Sequence, residues 1–184
     1  MYIVFEGIDT CGKSTQIELL KPLLPNAIFT KEPGGSFLGA KIREMILGSK
    51  NLDSKTEFFL FLADRAQHCA EVIIPNKNEI IIADRSLISG IAYAKNIQNA
   101  LEYNLFAMQN ILPDKVVLFK TNAELLKKRL GNKSNDSIEQ RGIDYLLEIQ
   151  DYLFEITHHL KLQTLILDAS ESIEALHKKI LAFL

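Results

Sequence analysis

The sequence predicts an α/β fold: a single domain over residues 1–184 with a five-stranded parallel sheet flanked by helices on both faces. A length of 184 residues suits one domain with a full core. Five short runs rich in Val, Ile and Phe are apolar at consecutive positions, which indicates strands covered on both faces. Segments with helical spacing separate these runs, and this alternation is typical of crossovers in a parallel sheet.

Strands and helices are expected in turn along the chain. The predicted strands are residues 2–5, 27–30, 80–83, 116–119 and 165–167. The predicted helices are residues 14–24, 38–47, 55–74, 123–130, 136–160 and 172–184. A polar stretch rich in Gly, Asn and Ser, GNKSNDS at residues 131–137, interrupts the pattern, and we expect a mobile lid there.

Composition and charge argue against several classes of protein. Apolar residues make up 47% and charged residues 24%, which is ordinary for a globular chain. The net charge of -2 gives no broad attraction to nucleic acid or to an anionic membrane, so we expect neither partner. Cys11 and Cys69 belong to no CxxC or Cys/His cluster, and no leader sequence or membrane span is apparent. These features favour the reducing cytoplasm.

A phosphate-binding loop is predicted at residues 7–14, where GIDTCGKS fits G-x-x-x-x-G-K-[ST]. A predicted strand precedes it and a predicted helix follows, as the motif requires. Gly7 and Gly12 allow backbone N–H groups to turn inward, and the helix N-terminus adds partial positive charge. Lys13 can reach the β- and γ-phosphates, and the Ser14 hydroxyl can bind Mg²⁺. The alternative is an ordinary glycine turn with a solvated lysine.

The interior of this loop contains an acidic residue. Asp9 is unusual there because an anion beside phosphates is unfavourable unless something compensates it. It is either a turn residue or a group that binds a hydroxyl of a second substrate. The residues expected to contact the phosphate donor in the loop are Gly7, Ile8, Asp9, Thr10, Cys11, Gly12, Lys13, Ser14 and Thr15.

A second charged pair ends the predicted strand in IIIADR, residues 80–85. Ligands of open α/β sheets bind at the carboxyl ends of the strands, so Asp84 and Arg85 should face the same crevice as Lys13. Asp84 can hold Mg²⁺ or its water, and Arg85 can bind phosphate oxygens. The alternative is that the pair caps the next helix.

Later motifs favour a kinase over a GTPase. A GTPase normally carries D-x-x-G after a strand and N-K-x-D before a late helix. Here ADRS lacks the glycine, and NKSND at residues 132–136 lacks Asp at the fourth place. Three segments that contain arginine follow the phosphate-binding loop instead. Their positive charge suits a site in which the phosphates of two substrates lie next to each other.

Six segments spread over the chain carry a family resemblance: FEGIDTCGKSTQ at 5–16, KEPGGS at 31–36, FLADRAQH at 61–68, ADRSLISGIAY at 83–93, DSIEQ at 136–140 and LDAS at 167–170. With them the chain resembles the bacterial thymidylate kinase family over nearly its full length. The resemblance implies a P-loop kinase fold, ATP and Mg²⁺, transfer of the γ-phosphoryl group to dTMP, and a homodimer. The apolar surface of segment 55–74 exceeds what one sheet face requires, which suits a dimer contact.

The resemblance implies roles for residues of an acceptor site. Asp9 would accept a hydrogen bond from the deoxyribose 3′-hydroxyl. Phe61 would stack on thymine, and Arg65 would reach a base carbonyl. Arg85 would hold the acceptor phosphate, and Tyr93 would close over the sugar.

Further acceptor contacts follow from the same resemblance. The EPGG stretch, Glu32–Gly35, would bring the backbone of Glu32 and Pro33 close to the nucleotide and start the next helix, although an ordinary Pro-Gly turn is the alternative. Arg43 would contact the acceptor phosphate, or it is a solvated helix charge. Relatives often have Asn, Thr or Gln at the position of Gly90, so Ser89 or a water would contact thymine instead.

Two of these residues have structural alternatives of their own. Phe61 lies in the apolar stretch EFFLFLADR, where a core position is the ordinary interpretation. Arg65 in the same stretch needs a partner, because a buried cation is costly. The substrate or Asp64 would provide it.

The donor side departs from the family pattern. Ser137 replaces an arginine that often stabilises the transferring phosphoryl group, and Thr10 stands where some relatives supply arginine. We expect Lys133 and Arg141 to neutralise the negative charge of the transferring phosphoryl group instead. Arg129 is expected to lie against adenine.

Two other functions remain open from the sequence. One is another small P-loop kinase that acts on a different nucleoside monophosphate or on a nucleoside. The other is a regulatory module that binds a nucleotide without transferring phosphate. Detection of the products formed with different acceptors separates these functions.

Overall fold

The computed structural model describes residues 1–49, 52–131 and 142–184. Within these ranges five strands form one sheet in the order β2-β3-β1-β4-β5, and every neighbouring pair is parallel. Each end of every predicted strand lies within one residue of the observed end, so the predicted α/β fold with a five-stranded parallel sheet is confirmed. The strands are β1 (Tyr2–Glu6), β2 (Ile28–Lys31), β3 (Ile81–Asp84), β4 (Lys115–Lys120) and β5 (Thr164–Asp168).

Eight α-helices cover the two faces of the sheet in the described part of the chain. They are α1 (Lys13–Leu20), α2 (Phe37–Gly48), α3 (Ser54–His68), α4 (Leu87–Tyr93), α5 (Ala100–Ala107), α6 (Ala123–Leu130), α7 (Ile143–His159) and α8 (Ile173–Phe183). The sequence did not predict α4 and α5. A π-helical turn, Cys69–Ile73, continues α3 to the expected end of that segment. The expected start of the seventh helix at 136 and lid residues 132–137 lie outside the described residues.

Alternating side chains of the central strand divide the core into two layers. Tyr2 and Val4 of β1 pack in the layer that contains residues of α4 and α7. Ile3 and Phe5 pack in the opposite layer with residues of α1 and α8. Both faces of β1 are therefore buried, which is why its sequence is apolar at consecutive positions.

The starts of the helices differ in a way that bears on the site. Side-chain oxygens of Ser36, Asp53 and Ser86 cap α2, α3 and α4. In contrast, α1 begins after Gly12 at φ 105° and has no side-chain cap. The partial positive charge at the start of α1 is therefore available to an anion.

The connections place the crevice of the sheet beside β1. The chain leaves β1 toward β2 and β3 on one side and later adds β4 and β5 on the other. Ligands of open α/β sheets bind where the strand order reverses, at the carboxyl ends. The phosphate-binding loop follows β1 and Arg85 follows β3 at that edge. No helix within residues 1–49, 52–131 and 142–184 has the length and apolar character needed to cross a bilayer.

Candidate active site

The phosphate-binding loop folds around its own lysine. Nζ of Lys13 is buried and donates hydrogen bonds to the carbonyl oxygens of Gly7 and Ile8, each at 2.9 Å. Gly7 has φ 144°, and a Cβ there would lie 2.8 Å from Sγ of Cys11 and 3.1 Å from the carbonyl oxygen of Phe119. Glycine is therefore required at position 7 on both conformational and steric grounds. An anion that binds Lys13 must compete with two carbonyl oxygens.

The two residues predicted to bind metal lie together. Oγ of Ser14 donates to Oδ2 of Asp84 across 3.2 Å. Oδ1 of Asp84 is buried and has no hydrogen-bond partner within the described residues. A hydroxyl and a carboxylate offer the hard oxygen ligands that Mg²⁺ prefers. The donor set and the unsatisfied oxygen therefore fit this ion.

Arg85 connects the end of β3 to the phosphate-binding loop. Its Nη2 forms an ion pair with Oδ1 of Asp9 at 2.7 Å. Its Nη1 donates to the carbonyl oxygen of Gly7 and to Oγ of Ser89, both at 3.0 Å. These bonds hold the guanidinium against the loop that surrounds Lys13.

Glu6, for which the sequence predicted no role, holds the serine that accepts a hydrogen bond from Arg85. Its carboxylate is fully buried and accepts hydrogen bonds from Oγ of Ser86 at 2.7 Å and Oγ of Ser89 at 2.5 Å. Burial raises the pKa of Glu6, and the two serine hydroxyls oppose that shift. Glu6 thus fixes the first turn of α4 and the serine that accepts from Arg85. A polar residue ending an apolar strand was the available signal, as it was for Asp84.

A cavity of about 330 Å³ opens beside the phosphate-binding loop. Its volume lies in the range of about 300–1,000 Å³ that is common for small-molecule sites. The loop, the β2–α2 connection and helices α2, α3 and α4 all contribute to its wall. The structure places every predicted acceptor-site residue in this wall: Asp9, Glu32, Pro33, Arg43, Phe61, Arg65, Arg85, Ser89, Gly90 and Tyr93.

A buried ion pair lies at the inner end of the cavity. Nε of Arg65 donates to Oε2 of Glu32 across 2.8 Å, and both side chains are almost fully buried. The ion-pair partner of Arg65 is therefore Glu32 rather than Asp64, whose Oδ1 accepts from the backbone N–H of Gly34 at 2.9 Å. Sequence spacing did not reveal this pair, because Glu32 and Arg65 meet only in the tertiary fold.

Histidine extends this network. Nδ1 of His68 lies 2.8 Å from Oε1 of Glu32, and Nε2 lies 2.6 Å from Oγ1 of Thr30. Burial alone would raise the pKa of Glu32, but Arg65 and His68 outweigh it, so the pKa is lowered. A Cβ at Gly35 would lie 2.6 Å from both His68 Cδ2 and Thr30 Oγ1, so the second glycine of EPGG allows this close packing.

The remaining cavity residues combine rings and polar groups. Phe61 is half-buried and lines the cavity, so it is not simply a core residue. The Tyr93 ring centroid lies 5.5 Å from Cζ of Arg85, and its buried hydroxyl has no hydrogen-bond partner among the described residues. Burial raises the pKa of Tyr93. Arg43 is half-buried and donates to the carbonyl oxygen of Pro33 at 3.1 Å, so it is not a freely solvated charge.

Arg129 lies on the other side of the phosphate-binding loop. Nη1 donates to the carbonyl oxygen of Thr10 at 2.8 Å, and Nη2 donates to that of Ala169 at 2.9 Å. It therefore joins the loop to the segment that follows β5. The predicted charge-neutralising residues, Lys133 and Arg141, lie outside the described residues.

Comparisons with known proteins identify relatives of this chain. The family model of thymidylate kinase matches residues 5–180. The thymidylate kinase of Aliarcobacter butzleri is 53% identical over 186 residues, which cover 100% of this chain and 98% of that protein. The thymidylate kinase of Wolinella succinogenes is 51% identical, with coverage of 99% and 97%.

A solved structure agrees at the level of the fold. The crystal structure of thymidylate kinase from Ehrlichia chaffeensis superposes with a TM-score of 0.77, at 23% identity, over 99% of this chain and 97% of that chain. Its low identity limits this comparison to architecture. The family model and the two relatives above span nearly the whole length of the sequence. The chain belongs to the thymidylate kinase family.

Proposed function

We propose that this protein transfers the γ-phosphoryl group of ATP to dTMP and releases dTDP and ADP. The main supporting observation is that Asp9 of the phosphate-binding loop pairs with Arg85 and that both residues line the adjoining cavity. A donor on the loop and a monophosphate in the cavity would therefore meet at this ion pair. Membership of the family supplies the identities of the two nucleotides.

The donor half of the site is built from the phosphate-binding loop and the start of α1. Lys13 and the uncapped helix N-terminus provide positive charge for the β- and γ-phosphates. Ser14 and Asp84 would hold Mg²⁺, which when bound neutralises negative charge on the donor phosphates. We assign Arg129 to the adenine side, because it joins Thr10 to the segment after β5.

The acceptor half presents unused donors of two arginines. Within the described residues, Arg85 uses both N–H groups of Nη1 and one of Nη2 in hydrogen bonds to protein groups. Its Nε–H and the second Nη2–H can therefore donate to the acceptor phosphate. Phe61 offers a ring face for the base and Arg65 offers hydrogen-bond donors. The buried Tyr93 hydroxyl lies beside the place we assign to the sugar.

Catalysis in this arrangement is positioning and charge neutralisation. Phosphoryl transfer needs little covalent help once the acceptor oxygen is in line with the γ-phosphorus. Arg85 orients the acceptor, and Lys13 stabilises charge on the donor. We propose that Lys133 and Arg141 add positive charge during transfer. The two free cysteines suit a reducing compartment, and we place the reaction in the cytoplasm.

We further propose that two copies of the chain form a dimer through α3 and α5. Phe59 is 58% exposed on α3, and Phe106 is 82% exposed on α5. Phe58 of α3 packs on Tyr103 of α5, with ring centroids 6.1 Å apart, so the two helices form one continuous surface. Aromatic side chains this exposed favour burial against a partner, and a second copy offers the same face in return.

A comparison of acceptors tests the proposed activity. The purified protein is incubated with ATP and Mg²⁺ and with dTMP, dUMP, CMP, AMP or thymidine, and products are separated by chromatography. We expect dTDP as the main product and none from thymidine, which lacks the phosphate that Arg85 binds. Preference for another acceptor would indicate a different kinase. Slow ATP hydrolysis with every acceptor would indicate a regulatory nucleotide-binding protein.

A further inference from the structure

Gly90 of α4 faces a crowded part of the acceptor cavity. An ideal Cβ at this position would lie 2.5 Å from Oδ1 of Asn104 and 2.7 Å from Cζ of Arg65, closer than real Cβ atoms come. The backbone at Gly90 is helical, so conformation alone does not require glycine. The space that a side chain at position 90 would fill is therefore occupied by Arg65 and Asn104.

Asn104 of α5 is fully buried and both ends of its amide have partners. Its Oδ1 accepts from Nη1 of Arg65 at 2.5 Å, and its Nδ2 donates to the carbonyl oxygen of Ala100 at 2.7 Å. A guanidinium can only donate and a backbone carbonyl can only accept. These partners fix the orientation of the amide, with its oxygen toward the arginine.

Three acceptors from different segments hold the Arg65 guanidinium. Nε donates to Glu32, Nη1 to Asn104 and Nη2 to the carbonyl oxygen of Ser86. Of the five N–H groups of an arginine, these bonds leave one on Nη1 and one on Nη2 within the described residues. Arg65 also lines the acceptor cavity. These three bonds thus set the plane of the Arg65 guanidinium and the direction of its two remaining N–H donors.

We propose that Asn104 is a positioning residue for recognition of the acceptor base. It anchors Nη1 of Arg65 so that the two remaining donors can meet a base carbonyl, and Gly90 leaves the room that this arrangement needs. Asn104 does not line the cavity and therefore acts through Arg65. The inference rests on the proposed phosphorylation of dTMP.

Two substitutions of Asn104 test this role. Asn104→Leu keeps a similar volume and removes the acceptor, so KM for dTMP should rise about tenfold or more, as expected for loss of a hydrogen bond to a charged group. KM for ATP should change less than about twofold, because the donor contacts remain. Asn104→Asp retains an oxygen toward Arg65 but loses the hydrogen bond to the carbonyl oxygen of Ala100, so its KM for dTMP should lie between that of Asn104→Leu and that of the unmodified protein. Equal KM values for dTMP in Asn104→Leu and the unmodified protein would overturn the proposal.

A double-mutant cycle tests the shared space directly. Gly90→Ala forces Arg65 to move and should raise KM for dTMP. In the Asn104→Ala background the guanidinium can shift into the vacated volume, so the same change should do less damage. Each variant is described by its fold increase in KM for dTMP. We expect the product of the two single-variant increases to exceed the increase in the double variant by about tenfold. Independent effects that multiply exactly would contradict a shared space.

Controls separate this inference from stability and from the proposed function. Gln150→Leu removes another buried amide, one that bonds Thr121 outside the cavity, and should lower stability without a selective change in KM for dTMP. If Asn104→Leu does not fold, Asn104→Ala provides the same comparison of KM values. If the unmodified protein forms no dTDP, the proposed function fails. If it forms dTDP, and Asn104→Leu and Asn104→Ala both retain its KM for dTMP, the inference alone fails.

Discussion

Arg85 at the end of β3 and Asp9 in the phosphate-binding loop form an ion pair of 2.7 Å. Both side chains are partly shielded from solvent, which strengthens their attraction relative to a surface pair. The partner accounts for an acidic residue in a loop that binds phosphates, because the arginine offsets its charge. The same pair connects the loop to the cavity that we assign to the acceptor.

Replacing Asp9 should therefore affect the acceptor more than the donor. Asp9→Ala releases Arg85 and removes the acceptor that we assign to the 3′-hydroxyl, so KM for dTMP should rise about tenfold or more. Discrimination between dTMP and its 3′-deoxy analogue should disappear in this variant. Steady-state kinetics with both nucleotides measures the effect, with Asp151→Ala on the exposed face of α7 as the control. Retained discrimination would remove Asp9 from sugar recognition.

Lys13 should act mainly on the rate of transfer. Lys13→Met removes the cation that we assign to the donor phosphates, so kcat for dTDP formation should fall about 100-fold or more. Lys21→Met is the matched control, because Lys21 pairs with Glu18 on the surface. Its kcat should be unchanged. A Lys13→Met protein that folds and keeps the normal rate would show that this lysine is not part of the chemistry.

The buried Glu32 should contribute stability that depends on pH. The pKa of Glu32 is lowered below its ordinary value of 4.5 in the folded protein, so its contribution is present above that value and is lost as the pH falls through the lowered pKa. Glu32→Gln leaves Arg65 without its carboxylate and should cost about 3 kcal/mol in the free energy of unfolding at about pH 5. The difference between the two proteins should shrink toward about pH 3.

Urea denaturation at these two pH values measures the effect of Glu32. Glu171→Gln is the control, because Glu171 forms a partly exposed pair with Lys179 and should cost less than about 1 kcal/mol. A Glu32→Gln cost as small as that of the control would mean that the buried pair does not stabilise the fold. A cost that grows on acidification would contradict the lowered pKa.

A substitution on the proposed dimer face of α3 and α5 should change the mass of the protein in solution rather than its reaction. Phe106→Ser removes the most exposed large apolar side chain in the described ranges. The dimer of this variant should therefore dissociate at a higher protein concentration than the dimer of the unmodified protein. Leu181→Ser changes an exposed apolar residue of α8, away from that face, and should leave the mass unchanged. Light scattering over a concentration series measures both. A monomeric unmodified protein at high concentration would exclude the dimer.

The strands and the phosphate-binding loop could be predicted because their signals are local. An apolar run flanked by turns marks a buried strand, and the spacing from Gly7 to Lys13 marks the loop without reference to the rest of the fold. The helix α4 was missed because it is short and contains Gly90, which weakens a helical pattern. The helix α5 has apolar residues around most of its circumference, so no amphipathic period identifies it.

The supporting residues of the site were harder to predict because their partners are distant in sequence. Glu6 accepts from Ser86, which caps α4, and from Ser89 within α4, and Asn104 bonds Arg65 39 positions away. No spacing rule connects such pairs, since a parallel sheet brings them together through crossovers. The residues that carry local motifs were therefore identified, while those that hold them in place required the tertiary structure.

The most direct test of the account is a crystal structure of the protein with dTMP. We expect the phosphate on Arg85, the 3′-hydroxyl within hydrogen-bonding distance of Asp9, and thymine against the ring of Phe61 with a carbonyl toward Arg65. A dTMP molecule bound elsewhere, or bound in the cavity with its phosphate turned away from Arg85 and the phosphate-binding loop, would contradict the proposed transfer.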